Sequence, residues 1–87
     1  MAGVQEEFQQ ATARAKTLPE QSNDVLLQLY GLFKQATAGD VSGDEPGMFD
    51  FVGRAKYDAW ATRRGMSRDE AMKAYVALVN TLAGGPR

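Results

Sequence analysis

Apolar residues recur along this chain at helical intervals and nowhere alternate in the two-residue rhythm of a strand. Val4, Phe8, Ala11, Ala15 and Leu18 step by four, three, four and three, the spacing that lines up one face of a helix. Glu6 and Glu7 stand in its early turns, where the helix dipole favours negative charge, and Pro19 stops it. A first helix is predicted over 4–17. A second is predicted over 23–37, opened by the capping run Ser22-Asn23-Asp24. Its apolar positions form two stripes, 25/29/32/36 and 26/30/33/37, which together predict burial over a wide face. Gly31 costs that helix about 1 kcal/mol relative to alanine, which either a close helix crossing or mere drift would account for.

The run GDVSGDEPG at 39–47 is rich in turn formers and predicts the longest loop. A third helix is predicted over 50–63, capped by Asp50 and broken by Gly65. Ser67-Arg68-Asp69-Glu70 matches the capping box S-x-x-E, with Met66 and Ala71 placed for a hydrophobic staple. The fourth helix, predicted over 67–83, buries Met72, Tyr75, Val79 and Leu82 and stops at Gly84-Gly85-Pro86. The expected architecture is all-α: one domain over 1–87, a four-helix bundle with a long loop between helices two and three.

Composition narrows the function. Eighty-seven residues support one modest core. A content of 44 % hydrophobic and 24 % charged residues is that of an ordinary soluble globular protein. No apolar run approaches the roughly 18 residues of a membrane span. MAGVQEEFQQ lacks the basic start and apolar stretch of a signal peptide, and AGGPR matches no lipidation or retention signal, so the expected compartment is the cytoplasm. There is no cysteine and no histidine. That removes disulfides, a thiolate nucleophile, cysteine-ligated zinc, the usual general base and the commonest metal ligand. Binding is expected rather than catalysis, with no metal and no cofactor.

Charge is uneven. Residues 1–53 carry three basic and eight acidic side chains, whereas residues 54–87 carry seven basic and three acidic. A local basic surface on a mildly acidic protein suits a small polyanion. Tyr30 and Lys34 are four apart and share a helix face, which fits either a core aromatic beside a snorkelling lysine or a site for a flat, anionic ligand. Lys56, Tyr57 and Trp60 fall on the third helix and Tyr75 on the fourth. Each has a structural reading when taken singly. Two alternatives stay open: a helix-turn-helix nucleic-acid binder built on ATRRGMSRDEAMKAY with Arg63, Arg64 and Arg68 at its turn, and a protein-interaction bundle without a ligand. Against the first stand the carboxylates of SRDEAM and a pI near 5.3.

YGLFKQATAGD, then PGMFDFVGRAKYDAW, then GMSRDEAMKAYVALV resembles the acyl-CoA-binding protein family over essentially the whole chain. The resemblance implies up-down-down-up helix order, a coenzyme A head bound among the helices, an acyl chain in a groove, and no catalysis. Lys34 and Tyr30 match residues that approach the ribose 3′-phosphate and adenine. Lys56 matches a further phosphate contact, Lys16 one on the first helix, and Tyr75 a tyrosine that helps hold the nucleotide. Phe33 stands where the family often has tyrosine; it can stack on a base but cannot donate a hydrogen bond. Tyr57 stands where tryptophan is common, and as a cover for the start of the acyl chain it would offer less apolar area. The proline usual before the second helix is missing, the connector at 19–24 is one residue shorter, and Ala11 and Ala15 give the first helix a small face that would loosen the groove near Phe8. The implied role is non-catalytic buffering and transport of medium- to long-chain acyl-CoA by a monomer. It would hand the ester to acyl-CoA-consuming enzymes or membranes and bind no nucleic acid.

Overall fold

The computed structural model describes residues 3–84, which form four helices: α1 (Val4–Ala15), α2 (Asn23–Ala38), α3 (Phe51–Ala61) and α4 (Arg68–Leu82). Side-chain caps open three of them. Ser22 accepts from the Val25 N–H, Asp50 from the Gly53 N–H, and Ser67 and Glu70 close a reciprocal capping box. α1 ends two residues earlier than its periodicity predicts. Thr17 N–H donates to the Arg14 carbonyl and Leu18 N–H to that of Ala15, a tightened three-residue turn that leads the chain into Pro19. α3 ends two residues early in the same way, with Arg63 N–H on Trp60 and Arg64 N–H on Ala61. Gly65 then turns the chain at φ +94°, a conformation glycine adopts freely.

Cross-helix pairs set the directions. Tyr30 meets Lys56 and Lys34 meets Trp60, so α2 and α3 run parallel. Phe8 meets Tyr75 and Arg14 meets Asn80, so α1 and α4 run parallel. Phe33 meets Tyr75 whereas Gln35 reaches Met66, so α2 and α4 are antiparallel. The order is up-down-down-up. α2 and α4 form the centre, with α1 on the outside of α4 and α3 on the outside of α2. α3 and α4 do not pack on each other, so the arginine-rich turn between them is not a helix-turn-helix unit, whose two helices support one another.

The core joins Phe8 and Ala11 of α1, Leu29, Leu32 and Ala36 of α2, and Ala71, Met72, Tyr75 and Val79 of α4. One expectation for α2 fails. The stripe 25/29/32/36 is buried or half-buried, but Leu26 is 50 % and Phe33 39 % exposed, and Thr37 is also exposed. The remaining buried face is 31/35, turned toward α3 and the α3–α4 turn. Apolar periodicity marks both stripes alike; the positions of α3 and α4 decide which one is covered. At Gly31 any Cβ would fall on the Ala59 carbonyl, 2.9 Å from its carbon. The crossing is therefore too tight for a side chain. Ala11, 3 % exposed, gives α1 a close approach to α4, and Phe8 is buried against Phe33 and Tyr75.

Candidate functional site

The exposed stripe of α2 lies between two groups of candidate side chains. On the α3 side the parallel helices make a crossed ladder. The Lys56 ammonium lies 5.4 Å from the Tyr30 ring centroid, and the Lys34 ammonium 4.7 Å from that of Trp60, both within cation–π range. Tyr30 and Lys34 thus each meet a complement across the helix pair. Trp60 is buried on the α2 side of α3, and its indole N–H donates to the Gly39 carbonyl at 2.7 Å.

On the α1 side Phe33 stacks on Phe8 at 6.0 Å, and Phe8 meets Tyr75 edge-on at 5.1 Å. These distances are those of favourable aromatic pairs. Burial pushes the Tyr75 phenol above its ordinary pKa, so the hydroxyl stays a neutral donor. A cleft of about 570 Å³ opens beside this trio, lined by Phe8, Thr12, Phe33, Thr37 and Arg68 among others. Lys16 is the exposed C-cap of α1. Its neighbour Ala15 lines a smaller cleft with Leu26 and Leu29. The structure therefore brings Tyr30, Lys34 and Lys56 into one group and Phe33 and Tyr75 into another, both bordering α2, and leaves Lys16 at the end of α1.

A third feature was not singled out from the sequence. Leu26 and Leu27 of α2 and Phe51, Val52, Ala55 and Lys56 of α3 line an apolar groove of about 390 Å³. Lys56 belongs to both the ladder and the groove wall. Its signal in the sequence was MFDFV, an apolar run that brackets the Asp50 cap where a helix entry is normally polar. Tyr57 does not line this groove. Its hydroxyl donates to the Gly43 carbonyl at 3.2 Å and ties down the α2–α3 loop.

Gln35 and Asp40, also unremarked in the sequence, hold the ladder's upper end. Buried Gln35 donates to Asp40 and to the Met66 carbonyl, both at 2.8 Å, and Asp40 accepts from the Gly65 N–H at 3.0 Å. The Gly65 hydrogen bond, then that of Gln35, holds the Asp40 carboxyl below its ordinary pKa. The end of α2 is thereby fastened to the α3–α4 turn, and Gly39 is fixed as the acceptor for Trp60.

Fold and site together define a small helical binding bundle. The chain belongs to the acyl-CoA-binding protein family, whose profile matches residues 5–79, and that family is one of non-catalytic binding and carrier proteins. The chain is 55 % identical over 76 residues to acyl-CoA-binding protein homolog 1 of Caenorhabditis elegans, covering 86 % of this chain and 88 % of that one. It is 52 % identical over 81 residues to acyl-CoA-binding domain-containing protein 1 of Oryza sativa subsp. japonica, covering 92 % and 89 %. The crystal structure of Oryza sativa acyl-CoA-binding protein 2 superposes with a TM-score of 0.92 at 47 % identity, over 94 % of this chain and 92 % of that one.

Proposed function

We propose that this chain binds medium- to long-chain acyl-CoA esters and carries them without chemical change. The observation that carries this reading is the double position of Lys56, over the Tyr30 ring and in the wall of the apolar groove. A ligand fitting both must be anionic at one end and apolar at the other, and an acyl-CoA is such a molecule. Lys34 and Lys56 meet phosphates as point charges, stronger in a partly dry cleft than in bulk water. Lys16 adds a further cation from α1. Tyr30 and Phe33 offer rings to the adenine, where stacking contributes roughly 1–3 kcal/mol per base, and Tyr75 offers its hydroxyl. Burial of acyl methylenes along Leu26, Leu27 and Val52 contributes up to about 0.8 kcal/mol each before the cost of ordering the chain. Head contacts thus select a CoA ester, and the tail sets how tightly it is held.

The matching physiological role is that of a monomeric cytoplasmic buffer. It keeps a detergent-like ester off membranes and releases it to acyl-CoA-consuming enzymes or to membranes. Partition of palmitoyl-CoA between buffer and vesicles tests this. Stoichiometric protein should draw the ester out of the vesicles, and an unchanged partition would refute the carrier role.

A further inference from the structure

We propose that Met48 and Phe49, with Phe51 and Val52 at the start of α3, form a docking surface for an electrically neutral lipid bilayer, through which the acyl chain passes between membrane and groove. The proposal rests on the acyl-CoA reading above. Met48, Phe49, Phe51 and Val52 are 74 %, 82 %, 73 % and 68 % exposed. Isolated apolar residues on a surface need no explanation, but here four within five positions of one segment are exposed together, and concentrated apolar surface marks interaction sites.

The segment is held in place while it presents these side chains. The Tyr57 hydroxyl fastens Gly43, the Arg54 guanidinium donates to the Pro46 carbonyl at 3.2 Å, and Asp50 N–H closes a turn onto Gly47 at 3.0 Å. The Asp50 carboxylate then caps α3. An anchored backbone keeps the patch outward instead of letting it collapse onto the groove.

Continuity identifies the occupant. Phe51 and Val52 belong to the patch and also line the groove with Leu26, Leu27 and Ala55. A chain withdrawn from a bilayer resting on this patch would enter the groove without crossing water, where each methylene exposed is unfavourable. Charge identifies the lipid class. Between Gly39 and Gly53 the chain carries Asp40, Asp44, Glu45 and Asp50 and no cation. The nearest cations are engaged, Arg54 on Pro46 and Lys56 over Tyr30. A surface of this sign is repelled by anionic headgroups, which attract basic segments, and favours zwitterionic ones.

The test uses the double variant Met48→Ser/Phe49→Ser, both residues lying outside the groove lining, with Phe49→Leu as an apolar control. Three quantities are read: palmitoyl-CoA affinity in vesicle-free solution, the rate of palmitoyl-CoA transfer from phosphatidylcholine vesicles to protein, and co-sedimentation with vesicles with and without phosphatidylserine. The serine variant should keep its solution affinity within about twofold, lose at least fivefold in transfer rate and no longer sediment, while Phe49→Leu resembles the parent. The parent should sediment less with phosphatidylserine present. Unchanged transfer with intact affinity would overturn the docking surface alone. So would a preference for anionic vesicles, or self-association of the parent that the serine variant abolishes. Failure of the parent to bind the ester in solution would overturn the acyl-CoA reading itself.

Discussion

The ammonium of Lys34 lies 4.7 Å from the centre of the Trp60 ring, and that ring is fixed by its N–H on the Gly39 carbonyl. An aromatic face holds a cation without neutralising it, and in the proposed reading the lysine exchanges ring for phosphate when the ligand binds. Lys34→Ala should weaken acyl-CoA binding several-fold or more and leave the far-UV helical signal intact. Equal affinity in the variant would remove Lys34 from the site.

Leu26 separates the two ends of the ligand experimentally. It is half exposed and lines the groove, so it adds little to the core. Leu26→Ser should weaken palmitoyl-CoA binding about fivefold, near 1 kcal/mol for a partly buried leucine contact, and leave free CoA binding as it was. Calorimetry with both ligands checks this. Equal losses for the two would place Leu26 in the head site instead.

Gly31→Ala opposes two effects of known sign. Alanine favours a helix over glycine by about 1 kcal/mol, but here its Cβ meets backbone of Ala59, which cannot rotate aside as a side chain would. Overpacking of this kind costs about 1–3 kcal/mol, occasionally more. The urea midpoint should fall, and ligand affinity with it, because the same crossing sets the spacing of the Lys–aromatic ladder. A variant as stable as the parent would contradict the close crossing.

Asp40 gives the fold an acid-side dependence. Its carboxyl, hydrogen-bonded by Gly65 and Gln35, is held below the ordinary value of 3.8. A depressed native pKa means the contribution is complete above the unfolded value and is lost as pH falls through the native one. Asp40→Asn should therefore lower the urea midpoint at pH 6 and matter less at pH 3. Glu70, also lowered by its capping bonds to Ser67, is common to both proteins, so their difference isolates Asp40. A gap of equal size at both pH values would contradict this assignment.

What the sequence made legible follows from how local each signal is. The Ser22, Asp50 and Ser67 caps depend on residues within one turn, and all three form as their positions suggest. The face of α2 that is covered depends on neighbours distant in the chain, so periodicity predicts burial of both stripes, and only the placement of the other helices shows that Leu26, Phe33 and Thr37 stay exposed. Gln35 is polar by type and buried by its bonds to Asp40 and Met66, 31 residues away in the second case; periodicity assigns no such residue to an interior. Tyr30 and Lys34 were visible as a pair sharing a face, but their partners on α3 come from the parallel packing that Gly31 permits. The groove was hidden for the opposite reason: Phe51 and Val52 are apolar by type, yet they are 73 % and 68 % exposed.

The central claim is that one site reads head and tail of the same ligand, joined at Lys56. Titration calorimetry with palmitoyl-CoA, free CoA and palmitate in parallel tests it most directly. The expected result is tight one-to-one binding of the ester, with both halves far weaker. No heat with the ester, or palmitate alone binding as tightly as the ester, would contradict it.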